Sequence, residues 1–374
     1  MIRALLGLLT ACLAGAAAAG APDCPLARQP YSVRSPLLDI LIDPRAKAAI
    51  DAAAPDLVSG FTRNFGGGDL PRSFAAILSL EAILNGRPDA AELSRKIDAA
   101  LTPIMITPAA MKARCARYDQ VPPKLPATIK RPAILVFEKI NGFRDDPSVN
   151  AARVALREIG KRRGWSMIFS DKGAVMNRRD LSRFDAVVWN NVSGDALTTP
   201  QRAAFRSWME RGGGFAGIHG SGGDPVWFWD WYADTLVGAR FIGHPMDPQF
   251  QTAKVVVADP ARGITSGLSA QWSMSEEWYS FAKSPRLSGA HVLATLDEAS
   301  YSPVGPGKRD LRMGDHPIAW SKCIGNGRSF YTAIGHRPES YSEPNSVKLL
   351  EQGIAWAAGL GSSRCGNGHE VKSN

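Results

Sequence analysis

The sequence predicts an α/β fold, in which helices cover both faces of a mostly parallel β-sheet, preceded by a small N-terminal helical module. The first observation is a continuous apolar run at Ala133–Phe137, which is typical of a strand buried on both faces. The second is the regular alternation of strand-like and helix-like segments that follows it. Alternating β and α units of this length require a parallel sheet with helices on both faces.

The predicted elements follow in order from residue 133. A helix begins at the capping sequence Asp145-Asp146-Pro147, and Gly164 ends it. Further strands are predicted at 165–170, 184–189 and 215–218, with a helix capped by Thr198 before the last of them. The second half is strand-rich, with candidate strands at 252–258, 291–296, 317–321 and 328–334 and a closing amphipathic helix at 345–358.

The regions before and after this domain have different characters. Residues 1–21 have the charged, apolar and small-residue parts of a secretory signal peptide, and the apolar part is too short to span a bilayer. We therefore expect a periplasmic or secreted protein with no transmembrane anchor after cleavage. Residues 22–120 are predicted to form three or four short helices, 121–131 a proline-rich linker, 132–360 the α/β domain and 361–374 a tail.

Four cysteines remain after removal of the signal peptide, and export favours disulfide bonds. We predict the pairs Cys24–Cys115 and Cys323–Cys365, because each would tie a loose terminus to its own segment. Free thiols are the alternative.

The charge distribution argues against nucleic-acid binding. The chain carries 44 basic and 35 acidic residues, a formal net charge of +9. The basic residues are scattered, whereas nucleic-acid binding needs a basic face with aromatic platforms. We interpret the charge as a solvated surface.

A glycine-rich turn follows the fourth predicted strand and places His219 where the chain must bend sharply. Gly217 precedes the bend, and Gly220, Gly222 and Gly223 follow it. Glycines remove the Cβ atoms that would block a tight strand-to-helix elbow, which lifts one side chain above the carboxyl edge of the sheet. A nucleophile elbow carries serine or cysteine at that point, but this one carries an imidazole.

This turn resembles the Gly-x-Cys-x-Gly elbow of class I glutamine amidotransferases, with histidine in place of cysteine. The chain resembles the ThuA-like (trehalose utilisation) family more closely, over roughly residues 133–359. The matching segments are 212–219, 236–245, 276–279, 316–320, 327–336 and 353–359. The resemblance implies a flavodoxin-like, class I glutamine amidotransferase-like fold that lacks the catalytic cysteine.

The resemblance also selects catalytic candidates, namely His219, Glu277 and His336. Neighbouring residues of an extended segment point to opposite faces, so only one of Glu276 and Glu277 can reach the cleft. A carboxylate beside imidazoles can work as a general acid/base pair or bind a divalent metal. No cofactor is certain, and zinc held by His219, His244 and Glu277 is the metal hypothesis. Glu339 could orient His336.

The candidate substrate-binding residues lie at predicted strand ends or in segments that match the family. They are Glu138, Arg144, Asn190, Asn191, His244, Trp278 and Tyr279. Resembling sequences often carry a histidine where this chain has Asp145. The aromatic residues Trp227, Trp229, Trp231 and Tyr232 could stack on sugars or pack a helix on the sheet, and the sequence leaves both open.

Together these features predict an exported carbohydrate-active protein that acts on a disaccharide or keto-sugar by acid/base chemistry, as a hydrolase or lyase. The resemblance implies metabolism of trehalose or related disaccharides, with a small carbohydrate as partner. The alternative is a non-catalytic glycan-binding or scaffold protein on a degenerate amidotransferase fold. Glutamine amidotransfer is excluded, because the elbow offers no thiolate. The oligomeric state stays open.

Overall fold

The protein contains two large hydrophobic cores, one within the helical module and one around a central β-sheet. The structure is a computed structural model that describes residues 23–59, 74–258, 263–361, 364–366 and 369–371. The predicted signal peptide lies outside the described residues. None of the described helices is long and apolar enough to cross a membrane.

The secondary structure alternates between strands and helices in the middle of the chain and is strand-rich afterwards. The strands are β1 (Ala133–Phe137), β2 (Ser166–Ser170), β3 (Ala186–Asn190), β4 (Gly214–Ile218), β5 (Phe241–Gly243), β6 (Gln251–Val257), β7 (Gln271–Glu276), β8 (Ser280–Phe281), β9 (His291–Asp297), β10 (Val304–Gly305), β11 (Arg309–Asp310), β12 (Pro317–Ile324), β13 (Gly327–Thr332), β14 (Arg364–Gly366) and β15 (His369–Val371). The helices are α1 (Leu37–Leu41), α2 (Pro44–Ala53), α3 (Phe74–Ile77), α4 (Leu80–Leu84), α5 (Ala90–Leu101), α6 (Pro108–Cys115), α7 (Asp146–Arg163), α8 (Arg178–Leu181), α9 (Thr199–Glu210) and α10 (Pro344–Ala357).

The central sheet has nine strands in the order β2-β1-β3-β4-β13-β12-β9-β6-β7. The first five strands are parallel to one another, and the remaining four continue the sheet in antiparallel pairs. The α/β fold class is therefore confirmed, with an antiparallel extension. The register places Ile218 beside both Asn190 and Thr332, so β3, β4 and β13 end at the same edge. The segments that follow these strands consequently meet there.

One strand of the central sheet was not predicted from the sequence. β7 lies at the edge of the sheet and reads Gln-Trp-Ser-Met-Ser-Glu. Its polar residues alternate with only two apolar ones, because one face of this edge strand is exposed to solvent. Apolar periodicity is therefore a weak signal here.

The helical module packs its own core and is fastened to the α/β domain by polar contacts. Asp43 caps α2, as its position before Pro44 predicted. Within the predicted apolar segment, residues 74–84 form two short helices, α3 and α4, with Ser79 capping the second. The Tyr118 hydroxyl donates to the Asp195 carboxylate at 2.7 Å. The module is thus docked over the loops that follow β1 and β3.

Both predicted disulfide bonds are present. Cys24–Cys115 joins the first described residues to the end of α6, and Cys323–Cys365 joins β12 to the C-terminal hairpin of β14 and β15. Each bond ties a terminal segment to its neighbourhood, which was the reason for predicting these pairings.

Candidate active site

His219 is the first residue after β4, and its backbone has a φ of +34°. This left-handed conformation is unfavourable for a residue with a Cβ and persists only where surrounding packing imposes it. A Cβ added at Gly222 would overlap the buried ring of Tyr331, whose hydroxyl donates to the His219 carbonyl at 2.9 Å. The sharp elbow predicted from the glycines is present. The chain continues from it in 3-10 turns, followed by a π-helix at Trp231–Val237.

The hydrogen bonds of the His219 imidazole define its tautomer. Nδ1 lies 2.7 Å from the carbonyl oxygen of Ala333, which can only accept, so Nδ1 carries a proton. Nε2 lies 3.2 Å from Oε2 of Glu277 and 3.1 Å from Nδ1 of His336. In the neutral imidazole, Nε2 therefore presents a lone pair to this buried cluster.

Glu277 is the carboxylate at the centre of the cluster. Its Oε2 lies 3.0 Å from Nδ1 of His336, while Oε1 accepts a hydrogen bond from Gln249 Nε2 and lies 3.3 Å from His244 Nδ1. Burial raises its pKa, but the hydrogen bonds and charges of the surrounding histidines outweigh burial. The pKa of Glu277 is consequently held well below its ordinary value, and the group is ionised at neutral pH.

His336 faces carboxylates with both ring nitrogens. Its Nε2 lies 3.6 Å from Oδ2 of Asp145, on the side opposite Glu277. Burial lowers the pKa of His336, but the hydrogen bond with Glu277 and the nearby negative charges raise it by more. The pKa of His336 therefore lies above its ordinary value. Glu339, the predicted orienting group, is instead exposed and pairs with Arg337. Asp145 takes that place, because α7 begins beside the histidine.

Glu276 points away from the cleft and holds the loop that carries His336. Its carboxylate accepts hydrogen bonds from the backbone N–H groups of Gly335 and Arg337, at 2.9 and 3.2 Å, and from the Ser340 hydroxyl. The two neighbouring glutamates point in opposite directions and therefore have different roles. Glu277 enters the cleft, and Glu276 anchors its wall.

These groups form the floor of a cleft with a volume of about 180 Å³. A further carboxyl group, that of Asp224, lies on its wall and is 8% exposed. It accepts hydrogen bonds from the Ser193 hydroxyl at 2.8 Å and from the Gly194 N–H. Both donors are neutral, so burial dominates and raises the pKa of Asp224 to about 7.

The structure places only some of the predicted substrate-binding residues at the cleft. Asn191, His244 and Tyr279 line it together with the three catalytic candidates. Asn190 is fully buried and donates to Glu138, and Trp278 is fully buried and donates to the Gln251 carbonyl.

Glu138 and Arg144 do not line the cleft either. Glu138 is 3% exposed and binds Arg153. The Arg144 side chain pairs with Asp146 on the surface. A strand end can turn its polar side chain inward or sideways, so position at the correct edge was not sufficient for contact with the cleft.

The members of the aromatic cluster after the elbow lie in two different environments. Trp227 lines the cleft and is 45% exposed. Tyr232 lies in the main core and stacks on Trp189 at 4.7 Å between ring centroids, and the partly buried Trp229 and Trp231 pack against that core.

The sequence analysis missed several residues of the cleft, namely Phe74, Ile77, Asp145, Ser193, Asp224 and Gln249. Asp224 closes the glycine-rich segment after the elbow, and that position was the available signal for it. Phe74 and Ile77 lie in the helical module, and their sequence carries no signal of a site.

Three ligand atoms of the cluster could hold a divalent metal ion. The nearest nitrogen or oxygen atoms of His219, Glu277 and His336 lie 3.0 to 3.2 Å from one another. Such a triangle suits a Zn²⁺ ion with bonds of about 2.0–2.2 Å, and His219 donates its other N–H to a carbonyl, as zinc-binding histidines do. His244 approaches the other oxygen of Glu277, so the geometry favours His336 over His244 as the third ligand.

The fold and the elbow first define a class: α/β proteins with a class I glutamine amidotransferase-like fold, here with histidine where amidotransferases carry the catalytic cysteine. The family model described as "Trehalose utilisation" (ThuA) matches residues 133–357, which is more than half of the chain. The chain therefore belongs to the ThuA family. The helical module lies outside the matched region.

Two solved structures are among those similar to this chain. A ThuA-like protein from Bacteroides uniformis is 24% identical, with a TM-score of 0.52 over 63% of this chain and 94% of that one. A ThuA-like protein from Parabacteroides merdae is 17% identical, with a TM-score of 0.45 over 61% and 90%. No protein with a curated function matches the sequence significantly.

Proposed function

We propose that this protein is an exported carbohydrate-active enzyme that acts on a disaccharide or keto-sugar by acid/base chemistry. The observation that carries the proposal is the convergence of His219, Glu277 and His336 on the floor of one cleft. Two imidazoles around one ionised carboxylate can hold and move protons without a covalent nucleophile. Membership of the trehalose-utilisation family supports a sugar as the substrate.

A ketone makes such chemistry sufficient, because it acidifies the neighbouring C–H bond. In the proposed reaction, Nε2 of His219 removes that proton, and the electron pair moves onto the carbonyl oxygen. The resulting enolate expels the glycosidic oxygen from the adjacent carbon, and that oxygen receives a proton from the protonated imidazole of His336. Glu277 stabilises both imidazolium ions, as the carboxylate does in a catalytic triad.

As an alternative to this metal-free reaction, we propose that the same three side chains bind a divalent cation such as zinc, in which case Nε2 of His219 would be a ligand and would not act as the base. A bound cation would supply Lewis-acid polarisation of the sugar carbonyl. The residues would then orient the substrate and exclude water around it. Metal analysis of the purified wild type and of Glu277→Gln tests this, with zinc expected in the first and lost from the second.

The experiment that tests the catalytic proposal measures turnover of 3-keto-disaccharides by purified protein, using mass spectrometry. We expect His219→Ala and His336→Ala each to lower the rate by a factor of about 10²–10⁴, the usual contribution of a positioned acid or base. The matched control is His291→Ala, which removes an exposed histidine outside the cleft. If both cleft variants turned over the substrate at the wild-type rate, the assignment of His219 and His336 as catalytic residues would be contradicted.

The non-catalytic alternative predicts a different result in the same experiment. A glycan-binding or scaffold protein would bind sugars in calorimetry while mass spectrometry detected no product. Export has its own test, since the mature protein should begin near residue 21 when it is recovered from the periplasm or medium. The two disulfide bonds support an oxidising compartment.

A further inference from the structure

The mouth of the cleft is apolar, and part of it comes from the helical module. Phe74 and Ile77 of α3 lie on one side, and Trp227, Phe241 and Met246 also line the mouth. Three of these side chains are unusually exposed for large apolar groups, with values of 38% for Phe74, 45% for Trp227 and 51% for Met246. Exposed apolar side chains that converge on a concave surface mark a binding site.

The aromatic rings at the mouth are positioned by other aromatic rings. Phe74 stacks on Phe143 with 5.2 Å between ring centroids, and Trp227 lies 6.0 Å from Phe241. These pairings hold the exposed rings at the cleft without filling it.

The position of α3 is also defined by close packing against the α/β domain. A Cβ added at Gly142, in the loop after β1, would overlap the side chain of Ile77. The module therefore contacts this loop with no space for a larger residue. The module lies outside the residues that match the family model, so this wall of the cleft is not part of the matched domain.

The polar side chains that line the cleft are largely occupied by protein partners. Asn191 donates to the Tyr341 hydroxyl and accepts from the Gly220 N–H, and Gln249 donates to Glu277. A second sugar ring at the mouth would bring hydroxyl groups next to apolar side chains. A hydroxyl that loses its water there without gaining a protein partner weakens binding. An apolar group placed there would gain by leaving water.

We propose that the cleft binds a glycoside whose leaving group is an apolar, preferably aromatic, aglycone. The sugar ring occupies the floor beside His219, Glu277 and His336, and the aglycone lies between Phe74 and Trp227. The helical module is then half of the aglycone subsite and determines which glycosides bind. The assignment of the sugar to the floor rests on the proposed function, whereas the apolar subsite does not depend on turnover.

The test is direct binding, measured by calorimetry, of phenyl glucoside and of trehalose to the wild-type protein. Both anomers of the phenyl glucoside are used. We expect phenyl glucoside to bind at least tenfold more tightly than trehalose. We expect Phe74→Ala and Trp227→Ala each to weaken phenyl glucoside binding by about three- to tenfold, the range for an aromatic contact. Leu287→Ala is the matched control, because this leucine is 79% exposed and lies outside the cleft.

Two results would overturn the proposal. One is trehalose binding as tightly as phenyl glucoside, and the other is equal weakening of both ligands by Phe74→Ala. A parallel turnover assay with the 3-keto forms of both compounds separates this proposal from the catalytic one. If phenyl glucoside binding depends on Phe74 and the turnover assay detects no product, the subsite is supported and the proposed enzymatic activity is refuted. A value of kcat/KM that does not respond to Phe74→Ala or Trp227→Ala, with either compound, supports the proposed enzymatic activity and refutes the subsite.

Discussion

Replacement of Asp224 by asparagine should stabilise the protein at high pH. The carboxyl group is 8% exposed, and its hydrogen-bond donors, the Ser193 hydroxyl and the Gly194 N–H, are neutral. Burial is the largest cause of the raised pKa values of Tyr232 and Tyr279, and the negative charge of an ionised Asp224 contributes to both. These two tyrosines are therefore ionisable neighbours of Asp224. Asparagine has nearly the same shape and carries no charge at any pH.

The magnitude follows from the pKa difference between the folded and unfolded states. The pKa of Asp224 rises from 3.8 to about 7 in the folded protein. The native state therefore keeps a proton that the unfolded state releases, and stability falls as the pH rises between these two values. A shift of about three units corresponds to roughly 4 kcal/mol, all of it lost above pH 7 and none of it lost below pH 3.8.

The assay is urea unfolding with the disulfides intact, from pH 4.5 to pH 8, for the wild type and Asp224→Asn. Over that window the stability advantage of the variant should grow by about 3 kcal/mol and then level off. Asp171→Asn serves as the control, because the Asp171 side chain is 70% exposed, and its difference from wild type should not follow this curve. A difference between Asp224→Asn and wild type that stays constant with pH would refute the reasoning.

Two further predictions concern the walls of the cleft. Gly222→Ala should destabilise the protein by about 1–3 kcal/mol in thermal unfolding, because the new Cβ overlaps the buried Tyr331 ring. Gly220→Ala should be tolerated, since its Cβ would meet nothing closer than 3.5 Å, and equal effects would contradict the packing argument. Glu276→Gln should lower the free energy of unfolding by about 2 kcal/mol, because hydrogen bonds to a buried carboxylate are lost. The exposed Glu339→Gln should leave it nearly unchanged, and a similar loss in both would refute the anchoring role.

Local sequence signals predicted most of the fold. Apolar runs marked β1, β3 and β4, and capping residues marked α2 and α9, because these signals depend on neighbouring residues alone. The edge strand β7 was missed, since one of its faces is polar. The antiparallel half of the sheet could be recognised as strand-rich but not ordered, because pairing depends on contacts between distant segments.

The candidate site was predictable only in part. His219 was recognisable from its glycine-rich elbow, a local feature with a backbone cause. His336 and Glu277 were selected by resemblance, and the structure brings both to His219. The sequence pattern could not show whether His244 or His336 is the metal ligand, because this depends on which oxygen of Glu277 each histidine approaches.

The sequence by itself determined most of the strands and helices along the chain and the sharp elbow at His219. Only the tertiary structure decided that His219 meets His336, 117 residues further along the chain, and that Phe74 of the helical module closes the same cleft. Periodicity, caps and glycines act over a few residues and can be read locally. Convergence of side chains depends on the register of β4 beside β13 and on how the module docks, and both are set by packing between segments far apart in sequence.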